Sequence, residues 1–186
     1  VTWNLETVGT PGSAPYQAVA AVLRRIDAEV VAIQEVAGAT DARNLQALAR
    51  QLGYPYVEIP PGGPFGALRN ALLSDFPITR STLWTAALLA GDGLSNDPFA
   101  YLTARATLLP ARQLDGSLAT RKASGRRLDY LLTSPTLTRR GPATQVYDCA
   151  DEGRPGGLPL SGAPLAATVC TLAADHLPVF ADLIVP

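Results

Sequence analysis

The chain has 186 residues and no methionine, one histidine and two cysteines. Its fifteen basic residues include a single lysine, Lys122. No hydrophobic run reaches the roughly 20 residues that cross a bilayer as a helix, which excludes a helical membrane span. Net charge is only −1, with a pI near 5.8. Bulk charge therefore gives no ground for avid nucleic-acid or membrane-surface binding, and any attraction for phosphate has to be local. Imidazole chemistry falls to His176 alone. The scarcity of cysteine leaves one framework, Cys149 with Cys170 across a Gly- and Pro-rich segment. Bonded, the pair stabilises by about 3 kcal/mol on the chain-entropy account and implies an oxidising compartment; two buried free thiols are the competing reading. The sequence opens on Val1-Thr2-Trp3-Asn4, which reads as already inside a strand. That start, without methionine, reads as a processed product, and the expected location is extracellular or periplasmic.

What is present is a core. Hydrophobic residues make up 47% of the chain, which excludes a disordered tail and suits one domain over 1–186. No repeat or linker divides it, and a monomer is expected. Val1–Leu5 reads as a strand. Ser13 and Pro15 mark a helix start, and Val19, Val22, Leu23 and Ile26 give it one apolar face. Glu29–Val36 reads as a strand covered on both faces. Thr40 is expected to cap a second helix with Asp41 at its positive end, Leu45, Leu48, Ala49 and Leu52 as its buried face, and Gly53 as its stop. Tyr54–Ile59, Leu68–Ser74, Ile78–Thr85, Phe99–Leu109, Leu128–Ser134, Ala143–Tyr147 and Val179–Val185 read as strands, with Leu68–Ser74 and Ile78–Thr85 paired. Two early helices followed by many strands predict a β-rich sandwich with helices outside it.

Four places carry chemistry. Asp175-His176 sets a hard acid beside a neutral base in front of the last strand. Glu35 ends a strongly apolar strand, where a carboxylate is costly unless it is solvated, paired or bound to a cation. Asn4 ends the first strand and can hold a phosphate oxygen or a metal-bound water without adding charge. Asp129 stands among apolar residues and needs a partner; the His176 N–H and a neighbouring arginine are both available. Arg112, Arg121, Lys122, Arg126 and Arg127 crowd a stretch whose only acid is Asp115. It reads as a local phosphate site or as a solvated loop.

Five motifs stand in order: Thr2-Trp3-Asn4, Ile33-Gln34-Glu35-Val36, Asn70-Ala71-Leu72-Leu73-Ser74 with Phe76-Pro77-Ile78, Arg127-Leu128-Asp129-Tyr130, and Asp175-His176-Leu177-Pro178-Val179. Together they resemble the endonuclease/exonuclease/phosphatase superfamily, which includes DNase I-like nucleases, apurinic endonucleases, inositol phosphatases and sphingomyelinases. The resemblance implies an α/β (α+β) fold, a four-layer sandwich of two face-to-face mixed β-sheets with outer helices. It implies Mg²⁺-dependent phosphoester hydrolysis, with Mn²⁺ or Ca²⁺ as substitutes, on nucleic acid or another phosphodiester. Glu35 is then the main metal ligand, with Asn4 nearby. Asp175 ligates the metal or positions a metal-bound water or a neighbouring group. His176 meets the scissile phosphate or moves its proton, Asp129 orients His176, and Asn70 lies close to the site.

The chain departs from the family pattern in one interval. Members carry a histidine in an Asn-x-His-Leu context and a Gly-Asp-x-Asn turn between the strand near Phe99–Leu109 and Arg-Leu-Asp-Tyr. Here His176 is the only histidine, and no Asp-x-Asn occurs in that interval. Gly91-Asp92-Gly93 with Asn96 lies too early and reads as a loop. The expected fold is therefore shortened, with weakened or lost activity, unless a segment of a longer parent is absent near Leu109–Asp115. The rival reading is a phosphate-ligand binding module without turnover.

Overall fold

A computed structural model describes residues 1–61, 68–79 and 106–184. It is a mixed α/β fold with one six-stranded sheet and one two-stranded sheet. The larger sheet uses β1 (Thr2–Asn4), β2 (Val30–Ala37), β3 (Tyr56–Glu58), β4 (Leu68–Ser74), β7 (Ala143–Val146) and β8 (Val179–Asp182), in the order β3-β4-β2-β1-β8-β7. β1 and β2 are parallel, and every other pairing in that sheet is antiparallel. The parallel pair needs a crossover, and α1 (Ala14–Ile26) supplies it. The second sheet pairs β5 (Thr107–Leu108) with β6 (Leu132–Thr133).

α1 begins where Ser13 Oγ accepts the Tyr16 N–H, with proline in the first turn. It buries Val19, Val22, Leu23 and Ile26, the apolar face expected from their spacing. α2 (Gly38–Leu52) starts earlier than Thr40, and no side chain caps it. Thr40 therefore is not its cap; its hydroxyl accepts from Arg43 instead. Asp41 ties down the helix entry from inside. Its buried carboxylate accepts the N–H groups of Ala37 (3.1 Å) and Val8 (2.8 Å) and the Thr7 hydroxyl (3.2 Å). One acid thus fixes both the start of α2 and the loop that follows β1. Gly53 ends α2 in the left-handed region, as expected.

Three short helices follow: the turn α3 (Pro135–Thr138), a 3₁₀ turn (Cys149–Asp151) and α4 (Ala167–Ala173). The sequence predicts strands dominating the second half; it also holds α4, a helix not expected there, which packs against α1 and the 3₁₀ turn. Its signal was weak because seven residues give barely two turns of periodicity. Cys149 and Cys170 form a disulfide with Cα atoms 5.6 Å apart, which overturns the free-thiol reading. It clips the 3₁₀ turn to α4.

Other corrections concern strands. Leu128–Ser134 is not one strand; only Leu132–Thr133 pairs, and Asp129 lies in irregular backbone ahead of it. β4 has the expected bounds, but its partners are β2 and β3. Of Ile78–Thr85, residues 78 and 79 are not strand and the rest lies outside the described residues. Of Phe99–Leu109 only Thr107–Leu108 is strand among the described residues, and Gly91-Asp92-Gly93 with Asn96 falls outside them. The last strand stops at Asp182.

Candidate active site

A β-bulge builds the first half of the site. Along β2 and β4 the register runs Ile33 opposite Ala71, then Val36 opposite Arg69. Gln34 and Glu35 together face the single residue Asn70. An extra residue bends the strand and re-aims its side chain. Glu35 absorbs the bend with φ 62°, in the left-handed region, at about 1–2 kcal/mol for a residue with a Cβ. Glu6, in the loop after β1, is also left-handed, and its N–H donates to Asn4 Oδ1 at 3.1 Å. Two of the three non-glycine residues with positive φ among the described residues thus border one cavity.

The cavity measures about 770 Å³. Thr2, Asn4, Glu6, Gln34, Glu35 and Asn70 line it from the first half of the chain. Arg121, Leu128, Asp129, Tyr130, Leu132, Asp175 and His176 line it from the second. The six acid, amide and imidazole candidates (Asn4, Glu35, Asn70, Asp129, Asp175 and His176) therefore meet the same space, whereas of the basic cluster only Arg121 does.

His176 is buried and doubly held. Its Nδ1 lies 2.7 Å from Asp129 Oδ2, and its carbonyl accepts the Trp3 indole N–H at 2.9 Å. A proton on Nδ1 donated to the carboxylate leaves Nε2 as the nitrogen without a hydrogen bond among the described residues. Asp129 takes the histidine rather than an arginine. Arg127 instead donates to the Leu109 carbonyl and lies over the Tyr130 ring. Thr120 is the hidden brace. Fully buried, its hydroxyl accepts the N–H groups of Leu128 (2.9 Å) and Asp129 (3.0 Å), and its carbonyl accepts that of Leu177 at 2.6 Å. One residue thereby fixes the backbone beside both members of the Asp–His pair.

The remaining acids differ. Asp175 is ion-paired, its Oδ2 2.8 Å from Arg121 Nε, while its Oδ1 lies 3.9 Å from His176 Nε2. Glu35 makes no hydrogen bond or ion pair among the described residues. Among the described residues no three His, Cys, Asp or Glu side chains cluster as a metal cage. The donor set at Glu35 and Asn4 is all oxygen, with one unpaired carboxylate. It suits a hard divalent cation of the kind that keeps several waters and takes one or two protein ligands. Sequence reading missed Glu6, Gln34 and Thr120, and it placed Arg121 only within a basic cluster. Glu6 and Thr120 carry no local pattern that marks them; their roles come from a left-handed turn and a tertiary brace.

A mixed α/β fold that gathers carboxylates, amides and an Asp-paired imidazole around one open cavity belongs to the class of α/β proteins with an acid-lined polar site. A family model described as the Endonuclease/Exonuclease/phosphatase family matches residues 1–151, and the chain belongs to that family. Its members are generally phosphoester hydrolases and generally use divalent metals. The matched region ends before Asp175 and His176, which join the site through the His176–Asp129 contact. No curated protein and no solved structure matches the chain.

Proposed function

We propose that this chain is a single-domain, divalent-cation-dependent phosphoester hydrolase, acting on nucleic acid or another phosphodiester. The observation that carries the reading is the convergence of Asn4, Glu35, Asn70, Asp129, Asp175 and His176 on one cavity. Glu35, with Asn4, is the cation site, and Mg²⁺ is the expected ion, with Mn²⁺ or Ca²⁺ as substitutes. Bound there, the ion supplies Lewis-acid stabilisation of the charge that develops on phosphate oxygens. His176 Nε2 holds or moves the proton as the water oxygen bonds to phosphorus and the ester oxygen departs; that departing oxygen ends protonated. Asp129 fixes the tautomer and stabilises the imidazolium when it forms. Asn70, exposed beside the bulge, orients a substrate oxygen.

The same reading takes the two sheets as the inner layers of a shortened four-layer sandwich. It places the protein as a monomer in an extracellular or periplasmic setting, for which the disulfide is the support. Hydrolysis of a bis-aryl phosphodiester by the purified chain, with and without EDTA and with Mg²⁺ restored, tests the assignment beside His176→Ala. Activity that EDTA abolishes and Mg²⁺ restores, reduced about 100-fold or more in the variant, is the expected result. Metal-independent turnover, or full activity in His176→Ala, overturns it.

A second reading, a phosphate-binding module without turnover, is favoured by one observation: His176 is the only histidine, and no Asp-x-Asn precedes Arg127-Leu128-Asp129 in that interval. It predicts phosphate binding without hydrolysis and without dependence on Mg²⁺.

A further inference from the structure

Of the basic residues that crowd positions 112–127, the structure sends four elsewhere. Arg112 donates to the Gly116 carbonyl, Arg127 to that of Leu109, and Lys122 pairs with Asp148 at 2.7 Å. Arg126 is exposed and borders no part of the cavity. Only Arg121 lines it; among the described residues it is the one Lys or Arg there. The setting is otherwise acidic, with Glu6, Glu35, Asp129 and Asp175 around the same space. Among the described residues, an anionic phosphoester entering it meets four carboxylates and one guanidinium, so an attractive contact is needed to offset the field.

Arg121 is held ready for that contact. Its backbone bridges both Arg126 and His176, so it cannot shift without moving the imidazole's own segment. Its Nε is fixed to Asp175 Oδ2 at 2.8 Å. Neither terminal nitrogen has a hydrogen bond among the described residues, and the side chain is 42% exposed. A guanidinium tethered at Nε presents a planar pair of N–H donors matching two oxygens of one phosphate.

We propose that Arg121 binds the non-bridging oxygens of the substrate phosphate as a catalytic residue, and that Asp175 acts as a positioning residue through Arg121. This rests on the phosphoester reading above. The tests are inorganic phosphate binding by calorimetry and phosphodiester kinetics on the wild-type chain, Arg121→Met, Arg121→Lys, Asp175→Asn and the double variant. Arg121→Met is expected to weaken phosphate at least 10-fold and to lower kcat/KM about 100-fold, with Arg121→Lys recovering part of both. Asp175→Asn is expected to lose about 10-fold alone and nothing further in the Arg121→Met background, the non-additivity of two groups acting as a unit. Arg126→Met serves as the charge control and should bind phosphate as the wild type does. Wild-type affinity and kinetics in Arg121→Met overturn the proposal while leaving the hydrolase reading intact. A wild-type chain that hydrolyses nothing, yet binds phosphate through Arg121, sinks the hydrolase reading and sustains the Arg121 site. A wild-type chain that hydrolyses phosphodiesters but binds no phosphate, with kinetics unchanged in Arg121→Met, overturns the Arg121 site alone.

Discussion

Two regions of this molecule hold carboxylates beside cations, and they are built to opposite ends. In the first, Arg25 on α1 meets Glu152 through two parallel contacts, Nε to Oε1 at 2.7 Å and Nη2 to Oε2 at 2.8 Å. The Tyr147 hydroxyl donates to the same Oε1 at 2.6 Å, and the other Arg25 nitrogen donates to the carbonyls of Ser161 and Gly162. Both charged side chains are nearly buried, and each Arg25 guanidinium nitrogen and each Glu152 carboxylate oxygen has a partner. In the second, among the described residues, Glu35 has no partner and the two terminal nitrogens of Arg121 make no hydrogen bond, and Glu35 and Glu6 sit in strained backbone. Paired charge with relaxed geometry joins parts of the fold. Unpaired charge with strain, facing open space, is what a ligand site requires, and the proposed function rests on that difference.

The largest effect that sharpens the contrast lies in the closed network. Arg25→Ala strands a carboxylate that is almost out of water and is expected to destabilise by about 3–5 kcal/mol, read from denaturant unfolding. A loss under about 1 kcal/mol would mean the network is ordinary surface pairing. Next comes the clip beside it. Replacing Cys149 and Cys170 together with serine should lower stability by about 3 kcal/mol in the same assay. Because α4 runs directly into Asp175-His176, the variant should also lose activity before it unfolds globally.

How much of this was visible beforehand follows from the same contrast. Short-range signals survived: Ser13 with Pro15 as a helix start, Gly53 as a stop and the bounds of β4. The acid, amide and imidazole positions picked out along the chain line one cavity. What failed depended on distant partners. Thr40 had the residue type for a cap, but Asp41 reaching back to Ala37 and across to Val8 moved the helix start. Leu128–Ser134 had strand composition, yet Thr120 holds its first residues out of the sheet. The closed Arg25–Glu152–Tyr147 network joins residues up to 127 positions apart, and no local spacing announces it.

Acid supplies a smaller test. The Arg25 hydrogen bonds hold the Glu152 carboxyl below the usual carboxylate range, against burial, which acts the other way. A depressed folded-state pKa contributes stability above the ordinary carboxyl pKa and loses it as pH falls through the lower value. Acid unfolding of Glu152→Gln should therefore be shallower than that of the wild type, checked by circular dichroism from neutral to strongly acidic pH. The smallest expected effect has the opposite sign. Glu35→Gly relieves the left-handed backbone and should stabilise by about 1 kcal/mol while abolishing turnover; a destabilised variant would mean the bulge carries no strain.

The most direct test pairs rate with stability in Glu35→Ala. The account predicts phosphodiester hydrolysis reduced about 100-fold or more, EDTA without further effect, and an unfolding free energy within about 0.5 kcal/mol of the wild type. A variant that turns over substrate at the wild-type rate, or one that loses activity only because it unfolds, contradicts the claim that this cavity is kept open and unpaired for chemistry.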